Sequence, residues 1–180
     1  MENDLSLDVF IEIAKGSPIK YEYDKKREAL VCYKILHTPF KYEFNYGFIP
    51  ETLSPNGDTL DVVVIMDDEL IPGSYINCKF LGYLETEDDH KVDTKILMCP
   101  SNKITPTYNA VLDICDISAH TIDKIKYFFQ HYKDLENKQV KIGKVYGKSE
   151  AIAVYLNSAI NYEVNSKSVK NKINSYFDKL

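Results

Sequence analysis

Two features of the sequence predict an α+β fold, a closed, antiparallel-rich β-barrel of the OB-like kind flanked by C-terminal α-helices. Short apolar runs separated by turn signals fill the first hundred or so residues, with hardly any helical periodicity. Beyond Ser118 the apolar residues recur instead at three- and four-residue steps. A sheet first and helices afterwards is the α+β pattern.

The elements follow in chain order. Val9-Phe10-Ile11-Glu12-Ile13 reads as a strand, closed by Lys15-Gly16-Ser17-Pro18. Residues 19–23 alternate apolar with charged side chains, residues 24–28 form a charged turn, and residues 29–36 return as the second arm of a hairpin. Further strands are expected over residues 60–66, 75–84 and 95–98, separated by Pro72-Gly73 and by the acidic stretch 85–93. Ser118 is a candidate N-cap for a helix reaching Leu135, with Ile122, Ile125, Phe129 and Tyr132 on one face. A second helix is expected after Ser149, with Ala151, Val154 and Tyr155 on its apolar face. Asn165-Ser166-Lys167-Ser168 reads as a hinge. After it, Ser168 would cap a third helix over residues 169–180, striped by Ile173, Phe177 and Leu180. There are no repeats and no low-complexity tract. Residues 1–160 are expected to form one domain and 161–180 a helical extension.

Composition narrows the function classes. A chain of 180 residues holds one domain with a sizeable core. It has no Trp but 14 Tyr, whose hydroxyls can pack a β core or hold phosphate oxygens. The formal net charge of −5 argues against broad nucleic-acid binding, which needs a basic face. Cys32, Cys78, Cys99 and Cys115 are scattered without a Cys-x-x-Cys pair and read as reduced, mostly buried residues. Met1-Glu2-Asn3-Asp4 opens no signal peptide, and the longest apolar run falls far short of the ~20 residues of a membrane span. A cytoplasmic protein with neither nucleic-acid nor membrane partners is expected.

Three clusters carry candidate chemistry. Asn56-Gly57-Asp58-Thr59-Leu60-Asp61 is a tight turn of oxygen-bearing side chains running into Val62-Val63-Val64-Ile65-Met66. Asn-Gly-Asp is common turn chemistry. A hard divalent cation such as Mg²⁺ also takes such oxygens and completes its shell with water and substrate phosphates. Glu85-Thr86-Glu87-Asp88-Asp89 reads first as a solvated hairpin loop. Asp93 and Lys95, two apart at the entry to a strand, share a face and can hold a metal and a phosphate side by side. Tyr132-Lys133 closes the helical stretch Phe128-Phe129-Gln130-His131 and reads either as a core aromatic beside a surface lysine or as an anion grip.

Taken together, in their order and spacing, these residues resemble the soluble Mg²⁺-dependent inorganic pyrophosphatase family over roughly residues 8–155. The stretches that carry the resemblance are Ile11-Glu12-Ile13, Pro18-Ile19-Lys20-Tyr21-Glu22, Tyr42 with Asn45-Tyr46-Gly47, the turn from Asp58 to Asp61, Asp88 with Asp93 and Lys95, and Phe128-Phe129 with His131 to Glu136. The resemblance implies hydrolysis of pyrophosphate to two phosphates by metal-activated water, with several Mg²⁺ ions and Mn²⁺ as a substitute. It implies Asp61 and Asp93 as ligands of the central metals, Asp61 bridging two of them, and Asp88 as a ligand of a third. Asp58 would be the general base, and Glu12 and Glu22 would hold metal-bound waters. Lys20, Lys95, Tyr46, Tyr132 and Lys133 would grip phosphate oxygens, with Tyr42 in support. It also implies a homo-oligomer, with a hexamer favoured and a dimer left open.

Two positions depart from the family pattern. Asn56 stands where the family has Asp, and its amide carbonyl is a competent ligand without a charge. Lys34 stands where the family has Arg and offers a substrate phosphate a point charge rather than a bidentate fork. These departures motivate one alternative, a catalytically weakened relative that binds metal and pyrophosphate, and the 14 tyrosines permit another, a barrel binding oligonucleotides on its aromatic strands.

Overall fold

The computed structural model describes residues 5–177, and the surroundings of the side chains for residues 5–167. Strands β1 (Ser6–Ile13), β4 (Asn45–Ile49), β5 (Leu60–Val64), β8 (Lys95–Pro100) and β6 (Tyr75–Asp88) stand side by side in that order. Strand β6 pairs back onto β1 from Ser6↔Lys79 to Phe10↔Tyr75, which closes the sheet into a five-stranded barrel. All of these pairs are antiparallel except β5 with β8. The hairpin of β2 (Ile19–Asp24) and β3 (Ala29–Ile35) forms a separate two-stranded sheet. Short β7 (Lys91–Val92) and β9 (Val140–Gly147) both pair with the far half of β6. Helix α1 (Ala119–His131) and the long α2 (Lys148–Phe177) follow the sheet.

The unbroken apolar runs of β5 and β8 have a plain cause, since both strands are covered on both faces. Val62, Val64, Ile96 and Met98 pack in a core with Ala151 of α2, and Tyr155 lies against it. Val63 and Leu97 point the other way, into a second core with Ile125, Phe128 and Phe129 of α1. Strand alternation puts Asp61 on the face of Val63, and Lys95 on that of Leu97. The second core is therefore the one that ends in polar groups.

Several expected boundaries shift. The acidic stretch after residue 84 is strand rather than loop as far as Asp88. Thr86 faces inward, its backbone pairs with Ile142 of β9, and Glu87 meets Lys141 across the pair at 2.7 Å, so the charges are matched. Ser118 caps α1 as expected, accepting the Thr121 N–H at 3.2 Å, but α1 ends at His131 and a separate 3₁₀ turn, Asp134–Glu136, carries Leu135. No hinge or third helix interrupts α2, which contains neither Gly nor Pro. Asn165 donates to Asn161 O at 3.1 Å and Lys167 pairs with Glu163 at 3.5 Å, so the polar run continues the helix and Ser168 lies within it. Leu180 of the expected stripe lies outside the described residues, as do Met1–Asp4 and the side chains of Ile173 and Phe177. Cys78 and Cys99 are buried, whereas Cys32 and Cys115 are exposed.

Gly47 sits in β4 between Ile11 of β1 and Val62 of β5. A Cβ there would fall 1.8 Å from the Phe10 carbonyl oxygen, so the two backbones approach too closely for any side chain. Gly47→Ala should destabilise the fold by about 1–3 kcal/mol or more, measured by urea unfolding. An unchanged unfolding midpoint would mean that β1 and β4 can part without cost.

Candidate active site

Neighbouring strands bring the central acids together. Parallel pairing sets Asp61 of β5 opposite Lys95 of β8. Lys95 Nζ donates to Asp61 Oδ2 at 2.5 Å and to Asp93 Oδ2 at 2.7 Å. The Tyr46 hydroxyl of β4 donates to the same Asp61 oxygen at 2.7 Å. Asp93 is itself held just ahead of β8, because its N–H donates to Thr86 O at 2.8 Å and its carbonyl accepts the Thr86 hydroxyl.

Burial sets the electrostatics. It acts to lower the pKa of the Lys95 ammonium, but the Asp61 and Asp93 carboxylates beside it override that and raise it, so Lys95 stays charged. Burial likewise raises Asp93, against the pull of Lys95. The Tyr46, Tyr132 and Tyr42 phenols are driven well up by burial and, for Tyr46 and Tyr132, by the nearby aspartates. These three tyrosines remain neutral hydroxyls.

Further groups come from more distant elements. Asp88 ends β6 and is paired with Lys133, the residue after Tyr132 at the C-cap of α1. In the hairpin, Lys20 meets Glu22 at 2.8 Å. Glu12 accepts the Tyr23 N–H at 2.7 Å, and burial pushes its carboxyl up to about 7. The turn before β5 is shaped by its own groups. Asn56 Oδ1 accepts the Asp58 N–H at 3.1 Å, the Ser54 N–H donates to Asp58 O at 2.8 Å, and Gly57 takes a left-handed φ of +94°. The Asp58 side chain is exposed toward the opening.

All these groups line one cavity of about 930 Å³. Glu12, Lys20, Glu22, Tyr42, Tyr46, Asn56, Asp58, Asp61, Asp88, Asp93, Lys95, Tyr132 and Lys133 border it. Lys34 does not. Its ammonium is taken by Glu136 at 2.5 Å, in the 3₁₀ turn after α1, and this hydrogen bond holds the Glu136 carboxyl below its ordinary range. Lys34, expected among the substrate-binding groups, thus stands apart from the other expected site residues, which the fold brings together around the cavity. The sequence reading missed Thr52, Lys25, Asp89, Lys91 and Lys138, as well as Tyr162, Asn165 and Ser166 of α2, all of which border the cavity. Asp89 was legible in the acidic run, whereas the α2 residues lie about a hundred residues from the turn they face and gave no local signal.

The donor set suits a small, hard divalent cation. It offers carboxylate and amide oxygens, and none of the described lining residues is Cys or His. Among the described residues no three acidic, His or Cys side chains stand close enough to form a ready cage, because the Lys95 and Lys133 ammonium groups sit against the aspartates.

The comparisons with known proteins point the same way. A family model described as inorganic pyrophosphatase matches residues 9–163. A Nanoarchaeum equitans protein named inorganic pyrophosphatase is 45% identical over 155 residues, covering 86% of this chain and 96% of that protein. A Helicobacter pylori protein of the same name is 47% identical over 150 residues, covering 83% and 87%. The solved Helicobacter pylori inorganic pyrophosphatase superposes with a TM-score of 0.85 at 44% identity, covering 88% of this chain and 94% of that one. The Thermus thermophilus structure superposes with a TM-score of 0.85 at 28% identity, covering 91% and 94%.

Lys95 neutralises two carboxylates in a buried setting, so removing it leaves them to repel each other. Lys95→Met should lower stability in chelator by about 3–5 kcal/mol, measured by urea unfolding at neutral pH. A loss of only a few tenths would show that the aspartates do not depend on this ammonium.

Proposed function

The chain belongs to the inorganic pyrophosphatase family and hydrolyses pyrophosphate to two phosphate ions, and from that premise we propose how its residues divide the work. The observation that carries the assignment is that Asp58 and Asp61 from one stretch of the chain, and Asp88 and Asp93 from another, border one cavity with lysines and buried tyrosines.

The family is metal-dependent. We assign Asp61 and Asp93, with Asp88 and the Asn56 carbonyl, as the groups that hold the ions, with Glu12 and Glu22 behind them. We take the ions to be Mg²⁺, with Mn²⁺ as a substitute. When bound, such ions shield the charge of the diphosphate and make water more acidic.

The chain's own residues do the rest. Asp58, exposed on its turn, accepts the proton of the attacking water as the water oxygen bonds to phosphorus and the bridging P–O bond breaks. Lys20, Lys95 and Lys133 hold phosphate oxygens, and the Tyr46 and Tyr132 hydroxyls donate to them. Those phenols are fixed in a buried wall, so they need not reorganise as charge develops on the phosphates. Tyr42 packs behind Tyr46, with ring centroids 5.7 Å apart. Lys34 does not border the cavity, so we give it no contact with substrate.

The relatives lend no support to a catalytically weakened protein. We also infer a homo-oligomer, hexameric by the family resemblance, acting in the cytoplasm. No described helix is long and apolar enough to cross a membrane.

The assay is phosphate release from pyrophosphate with Mg²⁺ and with chelator. Release with Mg²⁺ and none in chelator is expected, and release that ignores chelator would remove the metal assignment. Asp58→Ala should cut kcat about 10²- to 10⁴-fold while pyrophosphate binding is largely kept. A near-normal rate would take Asp58 out of the role of base.

Asn56→Asp restores one negative charge beside the metal oxygens. It should lower the Mg²⁺ concentration for half-maximal rate by about tenfold, as on the order of 1–4 kcal/mol separates charge pairs at these distances. An unchanged Mg²⁺ dependence would mean that Asn56 touches no ion.

A further inference from the structure

The turn that bears Asn56 and Asp58 hangs from the last rung of the β4–β5 ladder, Ile49↔Leu60. At that rung a side chain intervenes. The Thr52 hydroxyl donates to Ile49 O at 2.6 Å and accepts the Leu60 N–H at 2.9 Å. Thr52 is about 1% exposed, so both bonds lie out of water. The next residue, Leu53, donates its N–H to Ser158 O of α2 at 2.9 Å, and Ser158 is buried as well. One stem of the turn is thus tied to β4 and β5 by a hydroxyl and to α2 by its backbone. Leu60, whose N–H the hydroxyl takes, directly precedes Asp61.

We propose that Thr52 is a positioning residue for the reaction, its hydroxyl fixing where the Asp58 carboxylate and Asp61 stand relative to each other. The inference rests on the assignment of Asp58 and Asp61 given above. The hydroxyl closes the 50–59 loop onto the ladder, so that the loop cannot shift along β5. Valine fills the same space but can neither donate to Ile49 O nor accept from Leu60 N–H, and leaves a buried N–H unpaired. Serine keeps both bonds. A displacement of the turn on the order of 1 Å is enough to cost about a hundredfold in rate.

The α2 contact completes the brace and explains a feature of the sequence. Tyr162, Asn165 and Ser166 follow Ser158 at helical spacing and border the cavity. Asn165 and Ser166 of the polar run border the site, and this accounts for polar rather than apolar residues at those two positions.

The test compares Thr52→Val and Thr52→Ser with wild type. Four quantities are read, namely kcat and KM for pyrophosphate, the Mg²⁺ dependence of the rate, and the Mg²⁺ concentration that gives half of the rise in Tm. Thr52→Val should lower kcat about ten- to hundredfold with little change in KM, and should need more Mg²⁺ for the thermal shift. Thr52→Ser should restore both. A Thr52→Val protein that is less stable yet keeps wild-type kcat and the wild-type Mg²⁺ shift would overturn the proposal, as would a serine variant that rescues neither. If Thr52→Val does not fold, amide exchange in the wild type decides. Slow exchange at Leu60 and Leu53, slower still with Mg²⁺, supports the brace, and fast exchange at Leu60 overturns it. A wild-type protein that releases no phosphate would instead count against the function itself, and the thermal-shift and exchange readings would still judge the brace.

Discussion

Like charge crowded into a partly buried cavity is the constraint on which the rest of this structure depends. Asp61, Asp88 and Asp93 each need a positive neighbour, because a carboxylate taken out of water without one is costly. The sheet supplies those neighbours by register. Parallel pairing of β5 and β8 fixes Asp61 against Lys95, and alternation along the chain turns Asp93 to the same ammonium. Lys133 reaches Asp88 from beyond the end of α1. The same arrangement readies the site for substrate, since groups that balance each other inside the protein are those that a cation and a polyanion address when they bind.

The aromatic wall behind these pairs follows from the same constraint. Tyr42, Phe44, Tyr46, Phe128, Phe129 and Tyr132 form one cluster, with Phe128 and Tyr132 stacked at 5.2 Å and Phe129 between 5.3 and 6.1 Å from its ring neighbours in this wall. Lys95 lies 5.6 Å from the Tyr46 ring centroid and 5.7 Å from that of Phe129, so the ammonium is cradled by rings as well as by carboxylates. Rings exclude water, which strengthens each charge interaction in front of them. Tyrosine is the useful residue here, because one side chain serves as core packing and as donor at the edge of the cavity. This accounts for the abundance of tyrosine better than a base-stacking surface does, since Tyr42, Tyr46 and Tyr132 are buried.

Much of this was legible because local pattern and tertiary role coincide. The hairpin of β2 and β3, the runs of β5 and β8, and the Ser118 cap each announce themselves within a few residues. The Asp93-Lys95 spacing predicted one face, and their side chains meet. What the sequence hid was set by partners far along the chain. The acidic stretch after residue 84 looks solvated until β9 supplies Lys141 opposite Glu87. Strand β4 is short and contains Gly47, a weak strand former that makes sense only when the carbonyl of Phe10 is known to lie against it. Lys34 sits beside Lys20 in the hairpin register, so only the position of Glu136 reveals which of the two lysines faces the cavity.

The two departures from the family pattern now separate in physical terms. Lys34 pairs with Glu136, and an ammonium meets that carboxylate through one N–H, whereas a guanidinium could grip it with two parallel N–H bonds. Its effect therefore falls on how the hairpin is fastened to the turn after α1. Asn56 lies within the cavity wall, and its carbonyl already accepts the Asp58 N–H. A carboxylate oxygen would accept that bond equally well, so replacing Asp by Asn keeps the shape of the turn and the aim of Asp58 while removing one unit of charge. Geometry, which catalysis by a positioned base depends on, is preserved at this position, and charge, which cation affinity depends on, is reduced. On the roles proposed above for Asn56 and Asp58, a chain altered in this way would keep its chemistry and change the cation concentration at which that chemistry runs.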